Sequence, residues 1–175
     1  MEIKYYLNQL NLTKNSIVFV VLGEIDLRCH FARYYLKKRD TESEVQNQAL
    51  EEFWYQYQSK SKSIYSSTMA LVKLVVPAPP FKMDNISLST MGEYAPSCND
   101  KERLALYRTT WNILEKLNIL GIKESLPEFI RLTDKYKLDN GFMDSCYSRD
   151  AVHLADTKGV QIAVQHLLNY VNCKS

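Results

Sequence analysis

Two stretches decide the fold: Ser16-Ile-Val-Phe-Val-Val-Leu22 and Met69-Ala-Leu-Val-Lys-Leu-Val-Val76. Each is a nearly continuous apolar run rich in β-branched residues, with no alternation of apolar and polar positions. A strand that is apolar on both faces must be covered on both, as in a parallel sheet with helices on either side. The first run stops at Gly23 and the second at Pro77-Ala-Pro-Pro80, and both are strong breakers. Between the runs, Val45, Ala49, Leu50, Phe53, Trp54 and Tyr57 fall at helical spacing behind Thr41-x-x-Glu44, the pattern of a capping box. Strand, helix, strand is a βαβ unit, whose crossover is right-handed in nearly all cases.

Outward from this unit the pattern continues. The polar stretch Gln56 to Ser67 reads as a loop. Asn99 or Asp100 can cap a helix through Leu104, Tyr107, Trp111 and Leu114, with Gly121 as its stop signal. Ile122 to Leu126 reads as a short third strand. A last helix runs from about Asp156 to Val171, with Val160, Ala163, Val164, Leu167, Leu168 and Val171 on one face. Ile3, Tyr6, Leu7 and Leu10 suggest a further short helix at the start. The fold class is therefore α/β, a three-layer α/β/α sandwich around a parallel sheet, in one domain over 1–175.

Composition narrows the function. The 175 residues are 46% hydrophobic and 24% charged, ordinary for a globular chain. A net charge of +2, with basic residues interleaved as in Lys37-Lys38-Arg39-Asp40, argues against nucleic acid as a partner. No stretch reaches the ~18 apolar residues needed to cross a bilayer, and Met1 to Leu10 does not read as a signal peptide. The expectation is a cytoplasmic chain without membrane association. Cys29, Cys98, Cys146 and Cys173 are scattered with no CxxC pair, and read as reduced thiols. A metal set drawn from His30, His153, Cys29 and Cys146 lacks ligand spacing, so neither metal nor other cofactor is expected.

Ligands of open α/β sheets bind beyond the carboxyl ends of the strands. Immediately after the first run stand Gly23, Glu24, Asp26, Arg28, Cys29 and His30. The glycine lets backbone approach a substrate. The plainer alternative makes Asp26 a helix cap and Arg28 the surface partner of Glu24. The second candidate is Asp150-Ala151-Val152-His153, before the last helix. A carboxylate three residues ahead can accept a bond from the imidazole Nδ1–H and leave Nε2 free as a general base. His166, inside the last helix beside Leu167, reads as structural.

Taken together these features resemble the carboxy-terminal part of the SGNH (GDSL-like) hydrolase superfamily. Its third block, a hydrophobic strand ending in Gly-x-Asn-Asp, is matched by Gly23-Glu24-Ile25-Asp26, and a subgroup with Gly-Glu-Ile-Asp-x-Arg fits Gly23 to Arg28 more closely. Its fifth block, Asp-x-x-His, is matched by Asp150 to His153. Leu74 to Pro80, Leu104 to Leu126 and the lead-in Asn140-Gly141-Phe142-Met143 match what the family carries between the two. Two departures stand out. Ile25 takes the place of the oxyanion asparagine, and Gly-Asp-Ser, the nucleophile block, is absent. The resemblance thus implies a domain incomplete at its amino terminus, short of its first strands.

The implied parent activity is serine esterase or O-acyl deacetylase chemistry. Asp150 would orient His153, and the Gly23 N–H would serve the oxyanion site, with O-acylated carbohydrate or a small ester as substrate. The alternative is an inactive relative, a pseudoenzyme serving as a binding or structural module, with Glu24, Asp26, Arg28, His30 and His153 on the cleft rim. A substitute nucleophile, Cys29 or Ser145, is a third reading. In the complete fold the 16–22 strand would be interior, so its exposed edge leads to an expectation of self-association there.

Overall fold

The computed structural model describes residues 5, 7, 9–21, 43–68, 70–76, 80, 82, 99–132, 136–147 and 158–173. Their order is β1 (Ile17–Val21), α1 (Ser43–Thr68), β2 (Leu71–Val76), α2 (Asp100–Glu124), β3 (Glu128–Arg131), a 3-10 turn (Ser145–Tyr147) and α3 (Lys158–Asn172). The three strands form one parallel sheet in the order β1-β2-β3. β1 and β2 are in register from Ile17 opposite Leu71 to Val21 opposite Val75. The α/β class read from the two apolar runs is the class observed.

By contacts the chain forms two compact units. One comprises Met1–Leu22, Lys38–Val76 and Thr109–Ile130, the other Gly23–Lys37, Pro77–Arg108 and Arg131–Ser175. The first holds β1, β2 and α1, with the later part of α2 and most of β3. Its core is Val20, Leu50, Trp54, Val72, Leu74, Val76, Ile113, Leu114, Leu117, Phe129 and Ile130. Trp54 of α1 meets Phe129 of β3 edge-on, with ring centroids 5.8 Å apart. Lys73, the only charge in the β2 run, is paired across the ladder with Glu128 of β3 at 2.8 Å.

Three expectations about elements are corrected. Gln56 to Ser67 is not a loop, because α1 runs on to Thr68. No Gly or Pro interrupts the stretch, and its polar residues are engaged. Gln58, 0% exposed, donates from Nε2 to the Pro127 carbonyl at 2.8 Å, and Lys62 donates from Nζ to the Glu124 carbonyl at 2.7 Å. The buried line of α1 is accordingly Gln46, Leu50, Trp54, Gln58 and Ser61, and Val45 is exposed.

The third strand is not 122–126, because α2 passes through Gly121 to Glu124. Its amino end is the expected cap. Asn99 Oδ1 accepts from the Glu102 N–H at 2.9 Å, and Glu102 Oε2 accepts from the Asn99 N–H at 3.0 Å. Its carboxyl end is a Schellman turn in which the Leu126 N–H reaches the Gly121 carbonyl at 2.9 Å. Ser125 takes the left-handed position at φ 53°. The close approach of α1 accounts for a glycine inside the helix: a Cβ at 121 would stand 2.8 Å from Gln58 Nε2.

Of the residues read on one face of α3, Val160, Val164 and Leu168 are exposed, while Ala163, Leu167 and Val171 are half-buried. At the start of the chain Tyr5, Leu7 and Gln9 are helical and Leu7 is buried, whereas Leu10 is exposed. Among the described residues no helix is long and apolar enough to cross a membrane.

The two outer edges of the sheet differ. Along β3, Phe129 has both its backbone groups held by one side chain of α2: its N–H donates to Asn118 Oδ1 at 2.7 Å, and its carbonyl accepts from Asn118 Nδ2 at 2.9 Å. Two residues on, the Arg131 carbonyl lies 3.1 Å from His166 Nε2, the structural role read for that histidine. Along β1 the parity follows from the ladder. The Leu71 N–H donates to the Ser16 carbonyl, so Val18 and Val20 also face β2. The N–H and C=O groups of Ile17, Phe19 and Val21 point away from it.

Candidate functional site

The residues singled out from sequence, Gly23, Glu24, Asp26, Arg28 and His30 with Asp150 and His153, all lie outside the described residues. Cys29, Cys98 and the Ser145 side chain do so as well. The structure does describe the frame on either side of the Asp-x-x-His segment, and it is built within the second unit.

The frame starts at a hairpin. Lys137 bridges Met143 in antiparallel fashion, the Leu138 N–H donates to the Phe142 carbonyl, and the Gly141 N–H returns to the Leu138 carbonyl, both at 2.8 Å. This is a three-residue loop over Asp139-Asn140-Gly141 closed by a left-handed residue, Gly141 at φ 92°. Only glycine fits there, since a Cβ would meet Arg108 Nη2 at 3.0 Å and Leu104 Cδ1 at 3.3 Å. The Met143 N–H donates to the Pro80 carbonyl at 3.0 Å, which ties the hairpin to the proline-rich segment following β2.

From the hairpin the chain enters the 3-10 turn. Asp144 opens it, with Oδ1 accepting from the Cys146 N–H at 2.9 Å and its carbonyl accepting from the Tyr147 N–H at 3.1 Å. The Cys146 hydrogen bonds, with the positive charge of Lys158, hold the Asp144 carboxyl below the usual carboxylate range. Loss of solvent, then the neighbouring Asp144, pushes the Cys146 thiol up. Cys146 is therefore a protonated, free thiol, poorly suited to act as a nucleophile.

Tyr136 links this turn to the last helix. It is 0% exposed, and its hydroxyl donates to the Gly159 carbonyl at 2.7 Å. Its ring stands edge-on to Tyr147 at 5.5 Å, and Lys158 Nζ lies 5.2 Å from the centre of the Tyr147 ring. Burial, then Tyr147, pushes the Tyr136 phenol up to about 12. It is thus a neutral hydrogen-bond donor and not an acid–base group near neutral pH.

The consequence is geometric. Residues 148–157 leave from Tyr147 and rejoin at Lys158, and those two residues touch. Tyr147 and Lys158, the described residues on either side of the ten that include Asp150 and His153, are thus brought together by two ring contacts and the first turn of α3. Sequence reasoning missed Tyr136, Asp144, Tyr147 and Lys158. The available signal was aromatic residues spaced on either side of Asp144, which is weak because this chain has twelve tyrosines. Among the described residues no group of three His, Cys, Asp or Glu could hold a metal ion.

No protein-family model matches the chain, and no curated protein matches it by sequence. Solved structures do match in shape. A chain from Streptococcus pneumonia, provisionally described as a platelet activating factor, aligns over 89% of this chain with a TM-score of 0.53 and 16% identity. This chain spans 59% of its length. An acylhydrolase from Bacteroides fragilis, also provisionally assigned, aligns over 99% of this chain and 97% of its own, with a TM-score of 0.51 and 13% identity. At such identities the likeness is one of fold alone: this is an α/β chain that shares the fold of these two structures.

Proposed function

We propose that this chain carries the base end of an SGNH-type acyl-ester hydrolase centre and lacks that family's nucleophile. Asp150 accepts the Nδ1–H of His153 and fixes its tautomer. Nε2 is then the atom that takes a proton from an attacking hydroxyl and returns it to the leaving alcohol. The Gly23 N–H lies beside the developing oxyanion. Glu24, Asp26, Arg28 and His30 form the polar rim that meets an O-acylated carbohydrate or small ester. The observation that carries the reading is the fold shared with an acylhydrolase-like structure, together with the contact of Tyr147 and Lys158 on either side of the Asp-x-x-His sequence. The absence of Gly-Asp-Ser supports the second half, that the chain as given does not hydrolyse esters by itself.

Two readouts test the two halves. In an NMR titration the His153 imidazole holds its proton to a higher pH in the wild type than in Asp150→Asn. Identical titrations would remove the pair. Against p-nitrophenyl acetate the wild-type chain is no faster than His153→Ala. A covalent fluorophosphonate adduct on the wild type would overturn the missing nucleophile, and mapping it would name the residue that replaces it.

A further inference from the structure

We propose that two copies of this chain pair along the edge of β1 that no described strand covers, antiparallel about a two-fold axis at Phe19, to form one continuous sheet. The inference rests on the sheet alone and is independent of the hydrolase reading.

The outward groups of β1 are those of Ile17, Phe19 and Val21, three residues centred on Phe19. In an antiparallel ladder, directly opposite residues exchange both hydrogen bonds at every second position. With Phe19 opposite Phe19 of the second copy, Ile17 falls opposite Val21 and Val21 opposite Ile17. All six outward groups on each strand then find partners, and none is left over. The side chains agree with this register, because every facing pair is apolar, β-branched or aromatic.

Edge strands ordinarily carry a charge, a proline or a bulge that discourages pairing. Ile17-Val-Phe-Val-Val21 carries neither charge nor proline, and it is paired with β2 in unbroken register. Val21 is 60% exposed at the end of a strand that is otherwise apolar.

A second copy is favoured over an open chain of copies by the opposite edge. Phe129 is already paired with the Asn118 amide, and the Arg131 carbonyl meets His166. With β3 occupied and β1 without a further strand among the described residues, addition stops after one step, so the product is an isologous dimer and not a fibre. A contact one short strand wide falls below the ~1,200 Å² of standard interfaces, so the pairing is weak, with half of the chains joined at roughly 10–100 µM.

The test uses the full chain in equilibrium sedimentation and amide hydrogen exchange across the micromolar range. The expected mass rises from 20.4 kDa toward twice that value with concentration. Over the same range the Ile17, Phe19 and Val21 amides slow as concentration rises, about twofold where half of the chains are joined, while Val18 and Val20, already bonded to β2, do not change. Val21→Lys, which sets a charge opposite Ile17 at an exposed position, stays at the monomer mass with an unchanged circular dichroism spectrum. If that variant misfolds, the concentration dependence of the wild-type amides decides alone. The proposal is overturned by a monomer at every concentration, by a dimer that Val21→Lys leaves intact, or by odd-numbered amides already protected in the dilute monomer. The last result would mean that the chain's own residues cover the edge.

Discussion

Replacing Gly121 by alanine separates helix propensity from packing, because here they oppose each other. Taken as part of an isolated helix, α2 would gain about 1 kcal/mol from Gly121→Ala. In the fold, the new Cβ would stand 2.8 Å from Gln58 Nε2 and 3.4 Å from Leu126 Cβ. The Gln58 amide is the far end of a long side chain and could swing away. It is wholly buried, however, and it donates to the Pro127 carbonyl at 2.8 Å. Moving it leaves an amide and a carbonyl without their bond in a dry site, at about 1–3 kcal/mol for each such group. Net of the propensity gain, the expected loss is about 1–5 kcal/mol. For a chain of this size that is a fall in Tm of roughly 2–20 °C. Thermal and urea unfolding followed by circular dichroism measure it. Made in a Gln58→Ala background, the same substitution has no amide to displace, and it becomes neutral or stabilising by up to about 1 kcal/mol. A Gly121→Ala chain that melts at or above the wild type, or one whose loss is the same in both backgrounds, would refute the reasoning.

Ser125→Gly should raise stability by about 0.5–1 kcal/mol, since φ 53° is a left-handed conformation that glycine adopts without a Cβ penalty. A higher urea midpoint at unchanged slope is the readout. Tyr136→Phe removes the donor to the Gly159 carbonyl and should cost about 1–2 kcal/mol in the same assay. It should also remove a pH dependence. The folded phenol is raised from 10 to about 12, so its contribution is complete below pH 10 and is lost as pH climbs from 10 through 12. Wild-type stability should therefore fall more steeply across that window than that of Tyr136→Phe.

The strands β1 and β2 were legible because burial on both faces writes itself as an unbroken apolar run. The cap of α2 was legible because Asn99 and Glu102 act on their immediate neighbours. What failed depended on contacts distant in sequence. The polar half of α1 looked like a loop because Gln58 and Lys62 are matched by carbonyls 69 and 62 residues away. Gly121 looked like a stop because its real reason is the neighbouring Gln58, and the true stop, Ser125, is not a residue that announces a left-handed turn. One such misplacement moved the third strand to 122–126 when it occupies 128–131. At the site, Gly23 to His30 and Asp150 to His153 stand out by residue type and position along the chain, and both lie outside the described residues. The tyrosine contacts on either side of 148–157 could not be read, since Tyr136 and Gly159 are joined only by the fold.

The strand order β1-β2-β3 repeats the order of synthesis, and this has a consequence for the nascent chain. Once Val76 has emerged, β1, α1 and β2 are all available to assemble. Glu128 follows 52 residues later, counting from 76 to 128. At about 5–20 residues per second that is a wait of roughly 3–10 s. Throughout it the side of β2 destined for β3, with Val72, Leu74 and Val76, has no strand beside it, and His166, which meets the Arg131 carbonyl, has not yet been made. The length of this interval is set by the rate of synthesis. Codons that slow elongation between 77 and 127 should lower the yield of soluble protein more than the same codons placed after 131.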